Sequence, residues 1–255
     1  MQDDPTHHWL SRTNLLVAGL LLAFLALFGW QSWLRAQEEQ RLQLRTVAEL
    51  TERATDRYFG QMQVALGGLA ADLVAIDGLR ELPKAQQLLS RFKDQHVDVL
   101  AVNLLALDGR FLATSTTTRL TGLPTAQNLR DFAAIVAGLK ADTPMELSRP
   151  LIGPAVKRWI LPMRYTVRDE RGRAVAFIVA STPVEMLQSF WSQAPVIAKA
   201  SIALVRDDGY LISRYPVPPG TLNTELYGKP RDGAVFRFIS TRQWPAHGQV
   251  DGPNV

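Results

Sequence analysis

Cysteine is absent from the 255 residues, which excludes a disulfide scaffold, a thiolate metal site and a cysteine nucleophile. Histidine is scarce: His7, His8, His96 and His247 are dispersed apart from the first pair, which sits in a polar N-terminal tail and reads as solvated rather than ligating. No metal site and no cofactor are expected. There is no run of five basic residues. Arg supplies 22 of the 28 basic residues and the net charge is +4, but these charges are scattered, so no nucleic-acid partner is expected. A Gly-x-Ser-x-Gly elbow, a phosphate loop and a Gly-x-Gly-x-x-Gly fingerprint are all missing. The carboxylate pairs Asp169-Glu170 and Asp207-Asp208 fall in turn sequences, where a carboxylate serves nearby backbone amides. No catalytic residue is expected, and the chain does not read as an enzyme. Disorder is excluded as well, because hydrophobic residues make up 47% and charged residues 20%.

What is present begins with a membrane segment. Arg12 and Arg35 bracket 22 uncharged residues, Thr13 to Leu34. At ~1.5 Å per residue such a helix spans ~33 Å, close to the ~30 Å hydrocarbon core of a bilayer. Trp9, Trp30 and Trp33 fall near its ends, where indole rings prefer to sit. The alternative is a cleaved signal peptide, with an apolar region of ~7–15 residues and a small-x-small site after it. The flank Trp33-Leu34-Arg35-Ala36-Gln37 is a poor cleavage site, which favours an uncleaved anchor. Flanking Lys and Arg alone would put the second flank inside, but a long folded domain translocates largely regardless of such charges. Local charge leaves the topology open.

From Ala36 to Ile76 there is no proline. Apolar or small residues recur at three- and four-residue intervals: Val47, Leu50, Ala54, Tyr58, Met62, Ala65, Leu69, Leu73 and Ile76. That spacing predicts a long helix with one buried stripe. Gly67-Gly68 is a weak point and a candidate kink. The stripe serves either packing on an adjacent domain or pairing with a second copy.

A mixed region follows. Pro83 suits the first turn of a short helix that buries Leu88, Leu89 and Phe92. Val99–Leu107 reads as a strand, Asp108-Gly109 as a hairpin turn, and Phe111–Thr114 as the returning strand. Asn128 caps an expected helix through Leu139. Met145–Arg149, Arg158–Val167 and Ala174–Ser181 read as strands, and Pro183 opens a short helix to Trp191. At Ser201 the pattern restarts: strand Ile202–Val205, turn Asp208-Gly209, strand Tyr210–Ser213. The two Asp-Gly turns are 100 residues apart, a domain-sized interval. A Pro/Gly-rich loop (217–220) and one more expected strand (235–239) complete the chain. A partial second sheet of this kind predicts exposed edges and apolar faces at 202–205 and 210–213.

A membrane helix, a long helix, then strands with a helix between the second and third resemble the double Cache sensor, a PAS-like extracytoplasmic module in two copies. The stretch from Asn128 to Pro216 carries the likeness: Arg130-Asp131-Phe132, then Leu147 to Gly153, Ile160 to Tyr165, the Arg168-to-Arg173 turn, Ala180-Ser181-Thr182, and Asp208 to Pro216. These resemble the sensor ends of bacterial diguanylate cyclases, histidine kinases and chemoreceptors.

The resemblance implies an α+β fold with a PAS-like antiparallel sheet and an incomplete second copy. It implies a cytoplasmic tail at 1–12, a transmembrane helix at 13–34, a stalk helix at 35–78, a membrane-distal Cache domain at 79–200, and part of a membrane-proximal one at 201–255. The expected protein is a bacterial inner-membrane receptor, single-pass over this sequence and homodimeric, with its main domain in the periplasm. It passes ligand state through the long helix to an output module that these residues do not contain. A rival reading is a self-contained membrane-anchored periplasmic binding or assembly protein. By position in the family, Arg130, Phe132 and Arg164 are the expected ligand-binding residues for a small molecule such as a carboxylate, with Trp159 and Thr182 beside them. The family's full amino-acid-binding pattern is not recognisable.

Overall fold

The computed structural model of the chain describes residues 5–116, 145–154, 156–193 and 200–231, with side chains from residue 17 onward. The helix expected at 128–139 and the strand expected at 235–239 lie outside the described residues. The chain divides into two compact units, Met1–Leu50 and Thr51–Val255.

The first unit is helical from Pro5 and belongs to α1, Pro5–Ala75. Among the described residues α1 is the one helix long and apolar enough to cross a membrane. Leu20, Leu22, Phe24 and Phe28 are all exposed on it. A core helix of a water-soluble domain would bury such side chains on one face.

In the second unit, α1 runs on through Gly67-Gly68 without a break. Met62, Leu66, Leu69, Ala70 and Leu73 are buried at helical spacing, each large one contributing ~1.5–3 kcal/mol by leaving water. The stripe read from the sequence is displaced after Val47, which is buried. Leu50 and Ala54 are exposed, whereas Thr51 and Thr55 are buried. Hydrogen bonds permit this: the Thr55 hydroxyl donates to the Thr51 carbonyl at 2.7 Å and accepts from the Trp191 indole at 3.4 Å. Helix α2, Leu82–Gln95, has Pro83 in its first turn and buries Ala85, Leu89 and Phe92.

Six strands form one antiparallel sheet: β1 Ala101–Ala106, β2 Phe111–Thr114, β3 Met145–Leu147, β4 Leu151–Ile152, β5 Trp159–Arg168 and β6 Ala174–Pro183. The order is β2-β1-β6-β5-β3, with β4 also paired to β5. Two residues are too few to show alternation, which is why β4 is not legible in sequence. Strand β6 continues to Pro183, in register with Ile160, so the helix expected to open at Pro183 begins later, as α3, Met186–Trp191.

The repeat seen in sequence is a repeat of register. In the first hairpin Leu104 pairs with Ala113 and, across a bulge, Leu105 pairs with Phe111. In the second, β7 Ile202–Val205 and β8 Leu211–Tyr215, Leu204 pairs with Ser213 and Val205 with Leu211. Each number is larger by 100. Gly109 and Gly209 have φ of 84° and 86°, a backbone region that glycine enters without a Cβ clash.

The expectation of exposed apolar faces on this hairpin is corrected for β8. Ile212 is buried with Leu161, Met186, Leu187 and Trp191, and Leu211 with Val184, Leu226 and Tyr227. The last two come from α4, Asn223–Tyr227, a short helix after the Pro/Gly-rich loop. Its first turn is tied by the Leu222 backbone N–H donating to Glu225 Oε2 at 3.2 Å.

Candidate functional site: the polar face of the sheet

Alternate residues of a strand face opposite sides, so register sorts the sheet's side chains into two faces. One face is apolar. Val102, Leu104, Met163, Val167, Ala176, Ile178 and Ala180 are buried there with side chains of α1 and α2.

The other face carries the polar groups. One row across β2, β1, β6, β5 and β3 reads Thr114, Asn103, Val179, Arg164 and Glu146. On one side of it Phe111, Leu105, Phe177 and Thr166 are in register, and on the other Ala101, Ser181 and Pro162. Asn103, Thr114, Arg164, Thr166 and Ser181 are all buried. Five buried polar side chains on one face of a small sheet are costly unless they are hydrogen-bonded. Thr114 Oγ1 donates to Asn103 Oδ1 at 2.7 Å. Arg164 Nη2 donates to Glu146 Oε1 at 3.0 Å, with the arginine side chain 9% exposed and the glutamate 42%. The cation therefore lies inside the face and the anion reaches its edge. The arrangement offers a guanidinium, a carboxylate, hydroxyls and an amide to a small polar molecule.

Of the residues expected from sequence, Arg130 and Phe132 lie outside the described residues. Arg164 lies in the polar row. Trp159 and Thr182 lie on the opposite face, by their register with Ile152 and Leu161. The Trp159 ring sits 5.8 Å from that of Tyr227. The Thr182 hydroxyl is fully buried and donates to the Leu161 carbonyl at 3.3 Å. The structure thus does not bring these two to Arg164.

Sequence reasoning missed Asn103, Thr114, Glu146, Thr166 and Ser181. Asn103 had a legible signal, as a lone polar residue inside an apolar strand. Glu146 had none, since its pairing depends on the register of β3 against β5. The turn carboxylate Asp169 serves backbone amides as expected, accepting from Arg171 and Arg173 at 3.0 and 2.9 Å. Among the described residues, no group of three or more His, Cys, Asp or Glu side chains is placed to hold a metal ion.

Neither a protein-family model nor a curated protein sequence matches the chain. Solved structures do. The extracellular domain of rpHK1S-Z16, a protein classed as a histidine kinase, is 20% identical, with a TM-score of 0.56 over 71% of this chain and 72% of that one. The ligand-binding domain of the Pseudomonas fluorescens chemoreceptor CtaA, in complex with L-serine, is 15% identical, with a TM-score of 0.54 over 71% of this chain and 72% of that one. An extracellular ligand-binding receptor from Desulfohalobium retbaense is 14% identical, with a TM-score of 0.58 over 77% of this chain and 34% of that one. At such identities the likeness is one of fold. With its long N-terminal helix and antiparallel α+β sheet, this chain is similar in fold to these Cache-type extracellular sensor domains.

Proposed function

We propose that the chain is the ligand-sensing portion of a bacterial inner-membrane receptor. In this reading residues 13–34 anchor it, residues 79–200 form the membrane-distal sensor module in the periplasm, and residues 201 onward begin a membrane-proximal one. A small molecule is bound on the polar face, and the long helix of a homodimer passes the bound state to an output module. The chain performs no catalysis itself. The row Thr114, Asn103, Arg164 and Glu146, buried except at Glu146 and on the sheet face opposite α1 and α2, carries the proposal. The fold supports it, since one of its solved examples holds L-serine.

The ligand class follows from the groups present. A guanidinium binds carboxylates through paired N–H donors. Arg164 is already neutralised by Glu146, so a simple anion must compete with that carboxylate. A ligand that also carries an ammonium group can place it against Glu146 and keep the charges balanced. Asn103, whose amide oxygen is taken by Thr114, has its NH2 group to offer.

The test is a thermal-shift screen of the detergent-solubilised full chain against amino acids and small carboxylates. A ligand at a hundred times its Kd stabilises by about 2.7 kcal/mol, a shift of several degrees. Arg164→Met and Asn103→Ala should each remove most of that shift. A ligand whose shift survives both substitutions would exclude the polar face as its site.

A further inference from the structure

The two Asp-Gly hairpins share a register but differ in what the aspartate holds. Asp108 is held locally: Arg110 donates its backbone N–H at 3.0 Å and its Nε–H at 2.7 Å. Asp208 reaches out of its own hairpin. Its Oδ1 accepts from Arg206 Nε at 3.1 Å and its Oδ2 from Arg149 Nε at 2.8 Å, 59 residues away. The Arg149 guanidinium also lies 4.3 Å from the centre of the Tyr210 ring, a cation–π contact. Arg206 Nη1 donates to the Leu147 carbonyl. Burial raises the Asp208 pKa, but hydrogen bonds from Arg149 and Arg206 outweigh it and keep the carboxyl below its ordinary value. It is therefore an anion between two cations.

Arg149 and Arg206 tie the hairpin to the end of one short element. Leu147 is the last residue of β3, and Arg149 follows it by two positions. Glu146, the residue before Leu147, pairs with Arg164 in the polar row. Strand β3 is three residues long and lies at the end of the strand order, held by register with Met163, Arg164 and Tyr165. A short edge strand opens at lower free energy than the sheet's centre.

We infer that β3 is a linkage: the Glu146–Arg164 pair sets how firmly the β7–β8 hairpin is held through Arg149, Arg206 and Asp208. The coupling is argued from these contacts and needs no ligand. Its use as a signal rests on the proposed function: a ligand that places its carboxylate on Arg164 and its ammonium group on Glu146 parts that pair and loosens β3 from β5. The hairpin, the start of the second module, then reports on the first.

Hydrogen exchange of the full chain in detergent micelles, with no ligand added, tests the coupling. Glu146→Gln should speed exchange of the 202–215 amides about fivefold or more, the lower end of a typical coupling. Because coupling is reciprocal, Asp208→Asn should speed exchange at 145–148 by a similar factor. Asp169→Asn, in the β5–β6 turn, should leave both segments at the parent rate. The linkage is overturned if Glu146→Gln accelerates β3 alone, or if Asp208→Asn frees the hairpin without moving 145–148. If one variant does not fold, the other decides, since each reads the same coupling from its own end. A failed ligand screen removes the sensing site without altering these rates, and unchanged rates remove the linkage without touching ligand binding.

Discussion

Gly67 of α1 faces the hydroxyl of Tyr165 on β5 so closely that a Cβ on the glycine would lie 3.0 Å from that oxygen. Its neighbour Gly68 has nothing within 4 Å of the same position. In an exposed helix interior, Gly→Ala gains about 1 kcal/mol. Gly68→Ala should show that gain in full. At Gly67 the new methyl must push the tyrosine back by a few tenths of an ångström, which offsets the helical preference. The expected ranking in thermal unfolding is Gly68→Ala above the parent, with Gly67→Ala near the parent. Gly67→Leu should lose about 1–3 kcal/mol through overpacking. A Gly67→Ala protein as stable as Gly68→Ala would show that the close approach carries no constraint.

Tyr58 illustrates a polar group with an opposite effect. Its ring packs 5.5 Å from Phe59 and 5.7 Å from Phe190. Its hydroxyl is buried without a hydrogen-bond partner among the described residues. Burial, and then the nearby Asp98 carboxylate, push its pKa far above the ordinary tyrosine value. An unsatisfied buried hydroxyl costs about 1–3 kcal/mol, so Tyr58→Phe should raise stability by about 1 kcal/mol in equilibrium unfolding. A loss of similar size would reveal a partner for the hydroxyl.

Local signals in the sequence were enough for most of the described elements, β4 and α4 excepted, and not for the site. Apolar runs bounded by turn residues marked β5 and β6 to within two residues of their ends, and the Asp108-Gly109 and Asp208-Gly209 turns marked two hairpins. The α1 stripe misled at Leu50 and Ala54 because hydropathy ranks leucine above threonine, whereas Thr55 is accommodated by specific hydrogen bonds. Arg164 was named by its position in the resembling family, and the structure places it in the polar row. Its partner Glu146 was not named, since nothing local to Met145–Leu147 says which residue of β5 it will face. Trp159 and Thr182 were named with Arg164 by their position in the resembling family. The odd or even offset from Arg164 puts Trp159 across the sheet, and the antiparallel register with Leu161 does the same for Thr182.

The charge cluster at Asp208 predicts a dependence on acidity. Its carboxyl titrates below its ordinary value when folded, so the unfolded chain binds its proton first as pH falls. The stabilisation is complete above the ordinary aspartate value of about 3.9 and is lost as pH drops through the folded value. Arg149 and Arg206 face it, and the Tyr210 ring lies against Arg149. Asp208→Asn should therefore unfold at a lower temperature than the parent at pH 6, and the gap should narrow toward pH 3. Other carboxyl groups titrate in both proteins, so the difference isolates Asp208. A gap that stays constant from pH 6 to 3 would mean the ion pairs contribute nothing net.

The exposed apolar surface of α1 predicts how the protein is held at a membrane. Two mechanisms compete, because the chain is also basic, with a net charge of +4. A surface association through Lys and Arg contributes about 1 kcal/mol per residue near an anionic bilayer and fades with salt. An inserted helix is insensitive to salt, because it rests on removing side chains such as Leu22, Phe24 and Leu25 from water. Full-length protein in membrane vesicles should therefore stay in the pellet through high salt and alkaline carbonate and leave only with detergent. Leu22 and Leu25 lie near the middle of the uncharged stretch from 13 to 34, where an arginine costs about 2.5–3.5 kcal/mol on insertion scales. Leu22→Arg combined with Leu25→Arg adds positive charge, so it should tighten a surface association and weaken an inserted anchor. Carbonate release that rises in this double variant supports insertion; release of the parent by salt alone rejects it.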